Sequence, residues 1–184
     1  FNIDSSYDRG FWSRNLSNPI YGRVARHFSP SILRFGGTGN DYVCYKVGNA
    51  SCVAGAGKPV TTSPQCLNST WLGNLLSFAD SSSANLVFGL NLFPEKACNV
   101  QDGEKSGENG VLGAWDGTNA EQLLRYLISQ DFALYGLELG NEQNSFGASA
   151  QCAAFQTLSA LVSTLYPASS SLPRPLLFGP DPHS

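Results

Sequence analysis

Methionine is absent from all 184 residues, position 1 included, and Phe1-Asn-Ile-Asp4 already reads as the end of a strand, so the sequence is expected to begin inside a larger polypeptide. No apolar run is long enough to span a bilayer, and no basic leader precedes an apolar stretch, so neither a membrane span nor an export signal is expected. Charge is sparse and nearly balanced. The formal net charge of −3 offers no basic field to attract nucleic acid or an anionic membrane. With 42% hydrophobic residues the chain is neither disordered nor fibrous, and its length suits one ordinary domain. The five cysteines, Cys44, Cys52, Cys66, Cys98 and Cys152, lack the spacing of a zinc site. No glycine-rich phosphate fingerprint follows the first strand, where Asp4-Ser-Ser-Tyr-Asp8 stands instead. Phe35-Gly-Gly-Thr38 is too short for a P-loop. Neither a nucleotide cofactor nor a metal is therefore expected.

What is present is an alternation of short apolar runs and amphipathic stretches. Strands are predicted at Phe1–Asp4, Ser31–Phe35, Leu86–Leu90, Leu134–Leu139 and Leu176–Gly179. Asn18-Pro19 supplies an N-cap and a proline at the first helical position, and Ile20, Val24 and Phe28 give the helix that follows one apolar face. A second helix carries Trp71, Leu72, Leu75, Leu76 and Ala79. A third is expected to open on a capping box, Thr118-Asn-Ala-Glu121, ahead of Leu123, Leu124, Leu127 and Ile128. The fourth carries Phe155, Leu158, Val162 and Leu165. Two stretches, Tyr45 to Gln65 and Pro94 to Trp115, are too irregular for core elements and read as inserted excursions. Five strands interleaved with four helices form a βαβ series and imply a parallel sheet, either open and doubly wound or about five-eighths of a (β/α)8 barrel.

The candidate chemistry lies in Leu134-Tyr-Gly-Leu-Glu-Leu-Gly-Asn-Glu-Gln-Asn-Ser-Phe146. An apolar run broken by Gly140 delivers Asn141 and Glu142 to the carboxyl end of a strand, where barrel enzymes carry their reactive groups. An acid in such a place is otherwise simply solvated. Thr38, Asn40 and Asp41 follow Gly36-Gly37 in the same grammar of strand, glycine and polar group, as Asp4 does after the first strand. Sequons begin at Asn15, Asn49 and Asn68, and together with cysteines crowded into loops they favour a secreted, oxidising setting. Most of the cysteines are expected to be oxidised, with bridges drawn from Cys44, Cys52, Cys66 and Cys98. Cys152, on or beside the apolar face of the fourth helix, is expected to be the odd thiol.

These motifs resemble those of the heparanase and β-glucuronidase family, glycoside hydrolase family 79. The resemblance rests on Ser29-Pro-Ser-Ile-Leu-Arg-Phe-Gly-Gly-Thr38, Phe88-Gly-Leu-Asn91, Leu137-Glu-Leu-Gly-Asn-Glu-Gln-Asn-Ser-Phe146 and Phe178-Gly-Pro-Asp181, in register from Phe1 to about Asp181. It implies that residues 1–184 are the amino-terminal portion of one (β/α)8 catalytic domain, strands one to five, with the remaining strands and any β-sandwich domain lying outside. It further implies a retaining glycosidase with Glu142 as acid/base, Asn141 donating to the sugar hydroxyl beside the reacting carbon, and Asp4 and Thr38 touching substrate. Asp41 and Asp181 fit structural hydrogen-bonders better than ligands, and His27 and His183 match no catalytic position. Retention calls for two carboxyl groups roughly 5 Å apart on opposite faces of the sugar. The family's nucleophile, a glutamate near the end of the seventh strand, is not expected in this chain, which leaves the enzyme incomplete here. Charge in the excursion after Asp41 is scattered, so a uronic-acid-containing polysaccharide or glycoprotein glycan of lower charge is implied rather than heparan sulfate. The expected location is extracellular, or a lysosome- or vacuole-like compartment. The remaining polypeptide of the barrel, in the same chain or as a cleaved segment, is the expected protein partner. The competing reading is a catalytically silent, glycan-binding or structural extracellular glycoprotein.

Overall fold

The computed structural model describes residues 1–4, 15–48, 65–93, 98, 114–143 and 147–179, and the elements delimited among these described residues are seven strands and four α-helices. In chain order the elements are β1 (Asn2–Asp4), α1 (Pro19–Arg26), β2 (Ser31–Gly36), a 3-10 turn (Thr38–Tyr42) and β3 (Val43–Lys46). They continue with β4 (Gln65–Asn68), α2 (Ser69–Ser82), β5 (Ala84–Leu90), α3 (Thr118–Ser129), β6 (Gly136–Leu139), α4 (Ala148–Leu165) and β7 (Leu176–Phe178). The main sheet has the order β1-β2-β5-β6-β7 and every pair in it is parallel. The order never reverses, so this sheet has no switch point of the kind that defines a doubly wound fold. Successive right-handed crossovers in one direction put the connecting helices on one face.

Period-two alternation explains the two faces. Leu33 and Phe35 of β2, Leu86, Phe88 and Leu90 of β5, and Leu137 and Leu139 of β6 are buried in one apolar cluster. Against them pack Leu72, Leu75 and Ala79 of α2, Leu123, Leu124 and Leu127 of α3, and Leu158 and Val162 of α4. Phe88 sits at the centre of an aromatic group, its ring 4.9 Å from that of Phe35 and 6.0 Å from that of Tyr45. The opposite face of the sheet is small and polar. The register sets Arg34 beside Val87, Val87 beside Gly136, and Gly89 beside Glu138. All four residues of β6 are buried, as expected for a strand covered on both sides.

Three expectations need correction. The face of α1 formed by Ile20, Val24 and Phe28 points outward, with Val24 56% and Phe28 62% exposed. The buried residues of α1 are Gly22 and Ala25, because small side chains let the helix approach α2 closely. Phe28 instead sets its ring edge-on to Phe1 at 5.4 Å. The capping box at Thr118 does not form, for the cap position is Gly117. Asp116 Oδ1 accepts from both the amide and the hydroxyl of Thr118, and Glu121 is bonded to Arg125 one turn on. The third correction concerns the first excursion, whose edges are ordered into a small second sheet. There β3 and β4 pair in parallel with Val43 opposite Gln65 and Lys46 opposite Asn68. The side-chain amide of Asn119 copies a strand by bonding both the N–H and the carbonyl of Tyr45, which ties this sheet to α3.

The cap at Asn18 is as expected: its side chain accepts from the amide of Ile20, with Pro19 first in the helix. Cys44 is bridged to Cys98, Cys66 is disulfide-bonded as well, and Cys152 is a free thiol. Cys152 is exposed, on the side of α4 away from buried Ala154, Leu158 and Val162. Among the described residues no helix is long and apolar enough to cross a membrane.

The α1–α2 contact supports a direct test. A methyl added at Gly22 would lie 2.8 Å from Ser81 Cβ, whereas one added at Gly73 in α2 meets nothing within 4 Å. In the intact protein, Gly22→Ala is expected to lower stability by about 1–3 kcal/mol, as overpacking does. Gly73→Ala is expected to raise it slightly, since alanine is the better helix former. Denaturant midpoints of the two variants, compared with wild type, decide this.

Candidate active site

The carboxyl ends of β1, β2, β5 and β6 lie side by side, and they bring Asp4, Thr38, Asn91 and the Asn141–Glu142 pair to one edge of the sheet. Leaving β6, the chain turns at Gly140, whose φ of +73° favours glycine and whose hypothetical Cβ would stand 3.1 Å from Leu92 Cδ2. Glu142 also takes a left-handed conformation, with φ at +52°, which is uncommon for a residue with a side chain and costs about 1 kcal/mol or more.

The turn around Glu142 is held at several points. The Asn141 amide N–H donates to Asp41, 3.1 Å from Oδ1 and 3.3 Å from Oδ2. Asn141 Oδ1 accepts from the Arg34 guanidinium at 3.0 Å, which leaves its Nδ2 turned toward Thr38 Oγ1 at 3.3 Å. Gln143 Nε2 donates to Asp41 Oδ2 at 2.7 Å, and the Gln143 carbonyl accepts from Gln151 of α4 at 2.8 Å. Asn141 is buried while Glu142 is exposed, so the turn presents one carboxyl group on a backbone fixed to either side.

Beneath this turn Arg34 and Glu138 form an ion pair at 2.6 Å across the polar face of the sheet. Asp41 is wholly buried in the 3-10 turn. Burial pushes its carboxyl up to about 7, with a further small rise from Glu138, against donated hydrogen bonds from Gln143, Asn141 and Leu92 that pull it down. Burial likewise raises the Tyr45 phenol, whose oxygen accepts from the Asn91 amide at 2.8 Å. Asn91 is a scaffold residue: its side chain donates to the Val43 carbonyl, and its own carbonyl accepts from Trp115 Nε1. No group of three or more metal-binding side chains converges among the described residues.

Of the residues singled out from the sequence, Thr38 and Asn141 are in direct contact, Glu142 adjoins them, and Asp4 ends the neighbouring strand opposite Gly36. Asp41 is a structural hydrogen-bonder as expected. His27 caps the carboxyl end of α1, away from these residues in the chain. Asp181 and His183 lie outside the described residues. Sequence reasoning missed Arg34, Glu138, Gln143 and Gln151. The signal for the first two was available: Leu33-Arg-Phe35 and Leu137-Glu-Leu139 each place one charge, of opposite sign, inside an apolar strand.

A series of parallel strands with polar groups gathered at their carboxyl ends defines an α/β domain. The model of the glycosyl hydrolase family 79 N-terminal domain matches residues 5–183, and the chain belongs to that family. Heparanase-like protein 3 of Arabidopsis thaliana is 29% identical over 182 residues, which cover 90% of this chain and 31% of the relative. Baicalin-β-D-glucuronidase of Scutellaria baicalensis is 27% identical over 72% of the chain and 27% of its own length. Heparanase of Gallus gallus is 28% identical over 71% and 29% respectively. The chain thus spans less than a third of the length of these relatives. A solved 4-O-α-L-rhamnosyl-β-D-glucuronidase from Fusarium oxysporum superposes with a TM-score of 0.48 at 18% identity, over 89% of this chain and 34% of that one.

Proposed function

We propose that the intact protein is a retaining glycoside hydrolase of the heparanase and β-glucuronidase type, acting on uronic-acid-containing glycans with Glu142 as acid/base. The observation that carries this is the anchored turn: an exposed glutamate held between two fixed neighbours at the carboxyl edge of a parallel sheet, in a chain of family 79. Glu142 would protonate the departing glycosidic oxygen and then take a proton from the water that completes hydrolysis. Asn141, its amide oriented by Arg34, would donate through Nδ2 to the neighbouring sugar hydroxyl. Thr38 and Asp4 would line the same sugar. The nucleophilic carboxylate would come from polypeptide beyond this chain. The unreversed strand order supports reading the domain as the first five strands of a (β/α)8 barrel. Phe1, Ile20, Val24 and Phe28 at one edge, and Leu176 at the other, are exposed apolar side chains that further strands and helices would cover. Bridged cysteines and exposed sequon residues Asn15 and Asn68 support a secreted or lysosomal glycoprotein; Asn49 lies outside the described residues. Asn68 caps α2 through its oxygen, which leaves its nitrogen for a glycan.

The experiment is turnover of a panel of aryl β-glycosides by the intact protein, with the anomer of the first product read by NMR. Hydrolysis of the glucuronide with retention is expected. Glycan binding without hydrolysis of any glycoside would establish a silent scaffold instead.

A further inference from the structure

We infer that Asp41 is the positioning residue of this site: its carboxylate grips the Asn141–Gln143 turn on both sides of Glu142 and so determines where the glutamate side chain stands. This rests on the acid/base reading of Glu142. The geometry is a convergence of three donors, from two parts of the chain, on one buried group. The Asn141 amide and Gln143 Nε2 approach from the turn, the first at 3.1 Å from Oδ1 and the second at 2.7 Å from Oδ2. The Leu92 amide donates to the same carboxylate from the chain leaving β5. The Asp41 carbonyl accepts from Phe93 N–H at 3.1 Å, so the gripping residue is itself fixed. Between the two gripped residues stands Glu142, in a left-handed conformation that an ungripped turn would be free to leave.

An ionised carboxylate is the group this arrangement requires. It offers acceptor sites on both oxygens and no donor. An amide in its place would keep one acceptor and turn an NH2 group toward N–H donors. A protonated Asp41 would fail in the same way, since one oxygen then carries a proton. The charged and titratable groups around it are Glu138 of β6, itself paired with Arg34 of β2, Tyr45 of β3, and Glu142 in the gripped turn. With the Asp41 carboxyl raised to about 7 by burial, the grip is complete in mildly alkaline solution and loses an acceptor in acid.

The test compares the intact wild type with Asp41→Asn on an aryl β-glucuronide from pH 5 to pH 8. KM is expected to stay within about twofold. The wild-type to variant ratio of kcat is expected to lie near one at pH 5, where wild-type Asp41 is protonated, and to reach about tenfold or more at pH 8, the scale on which small misplacements act. A merely structural role would not make that ratio depend on pH. A wild type active throughout, with a ratio below about twofold at every pH, overturns the inference and leaves the glycosidase reading standing. Hydrogen exchange at the Asn141 amide reads the grip even in a protein that hydrolyses nothing. Faster exchange in Asp41→Asn than in wild type at pH 8 supports it, and equal exchange overturns it. Gln143→Leu removes a single arm without touching the buried carboxylate, and should reduce kcat several-fold; an unchanged kcat in that variant overturns the inference as well.

Discussion

Glu142→Gln in the intact protein is expected to lower turnover of a β-glucuronide with a basic alkyl leaving group by about 100- to 10,000-fold, the range a positioned general acid supplies. The loss should shrink as the leaving group becomes more acidic. An activated phenolate departs without a proton, so the first step survives for that substrate, and only the later deprotonation of water suffers. Azide needs no deprotonation. It should therefore attack the glycosyl-enzyme in place of water, restoring turnover and forming a β-glycosyl azide with retained configuration. Loss of a nucleophile would instead strike every leaving group alike, without such a rescue. The measurement is kcat/KM across a leaving-group series for wild type and variant, with azide present and absent. Activity within about twofold of wild type on every substrate would remove Glu142 from the chemistry. Gln keeps the shape of the side chain and the left-handed turn beneath it, so the comparison isolates the proton.

The second large effect is on stability. Asp41 titrates near 7 in the folded protein and near 3.8 when exposed, so between those values the folded state binds the extra proton. Stability from this group is then fully present below about pH 4 and is lost as the pH rises through about 7. The separation of the two values corresponds to about 4 kcal/mol at its limit. Wild type should become easier to unfold from pH 5 to pH 8, and Asp41→Asn should lose most of that slope because asparagine carries no charge to bury. Denaturant unfolding of both proteins at several pH values reads the difference directly; two parallel curves would mean that Asp41 titrates normally. Set beside the grip on the Glu142 turn, a variant more stable at pH 8 yet slower there would display a stability cost accepted for placement.

The strands and helices of the main sheet were legible because each announces itself locally, by an apolar run closed with glycine or by a cap such as Asn18-Pro19. What escaped depends on partners far along the chain. Val43–Lys46 and Gln65–Asn68 are too short to show a period, and their pairing becomes visible only once they lie together. The outward face of α1 was misjudged because periodicity marks an apolar stripe but not what meets it. Close contact through Gly22 and Ala25 won over larger side chains. Thr118 had a competitor two residues upstream in Asp116, a local alternative that the capping pattern does not weigh. At the site, Asn141, Glu142 and Thr38 were legible as polar groups past strand ends. Gln143 and Gln151 were not, since their roles come from a buried carboxylate and a carbonyl supplied by other elements.

The hydrogen bonds that fix Asn141 and Gln143 to Arg34, Thr38 and Asp41 join residues 100 to 107 positions apart. Each requires closure of a long loop, whose entropic cost must be met before the bond forms. The sheet order places β5 between the two contributing strands, so β2 and β6 are aligned only after β5 has joined both. Assembly of this site is therefore expected late in folding, after the local helices and the β2–β5 pairing. A chain stalled before β6 docks would have most of its helical content and none of the grip on Glu142, which makes gain of catalytic competence a slower process than gain of secondary structure.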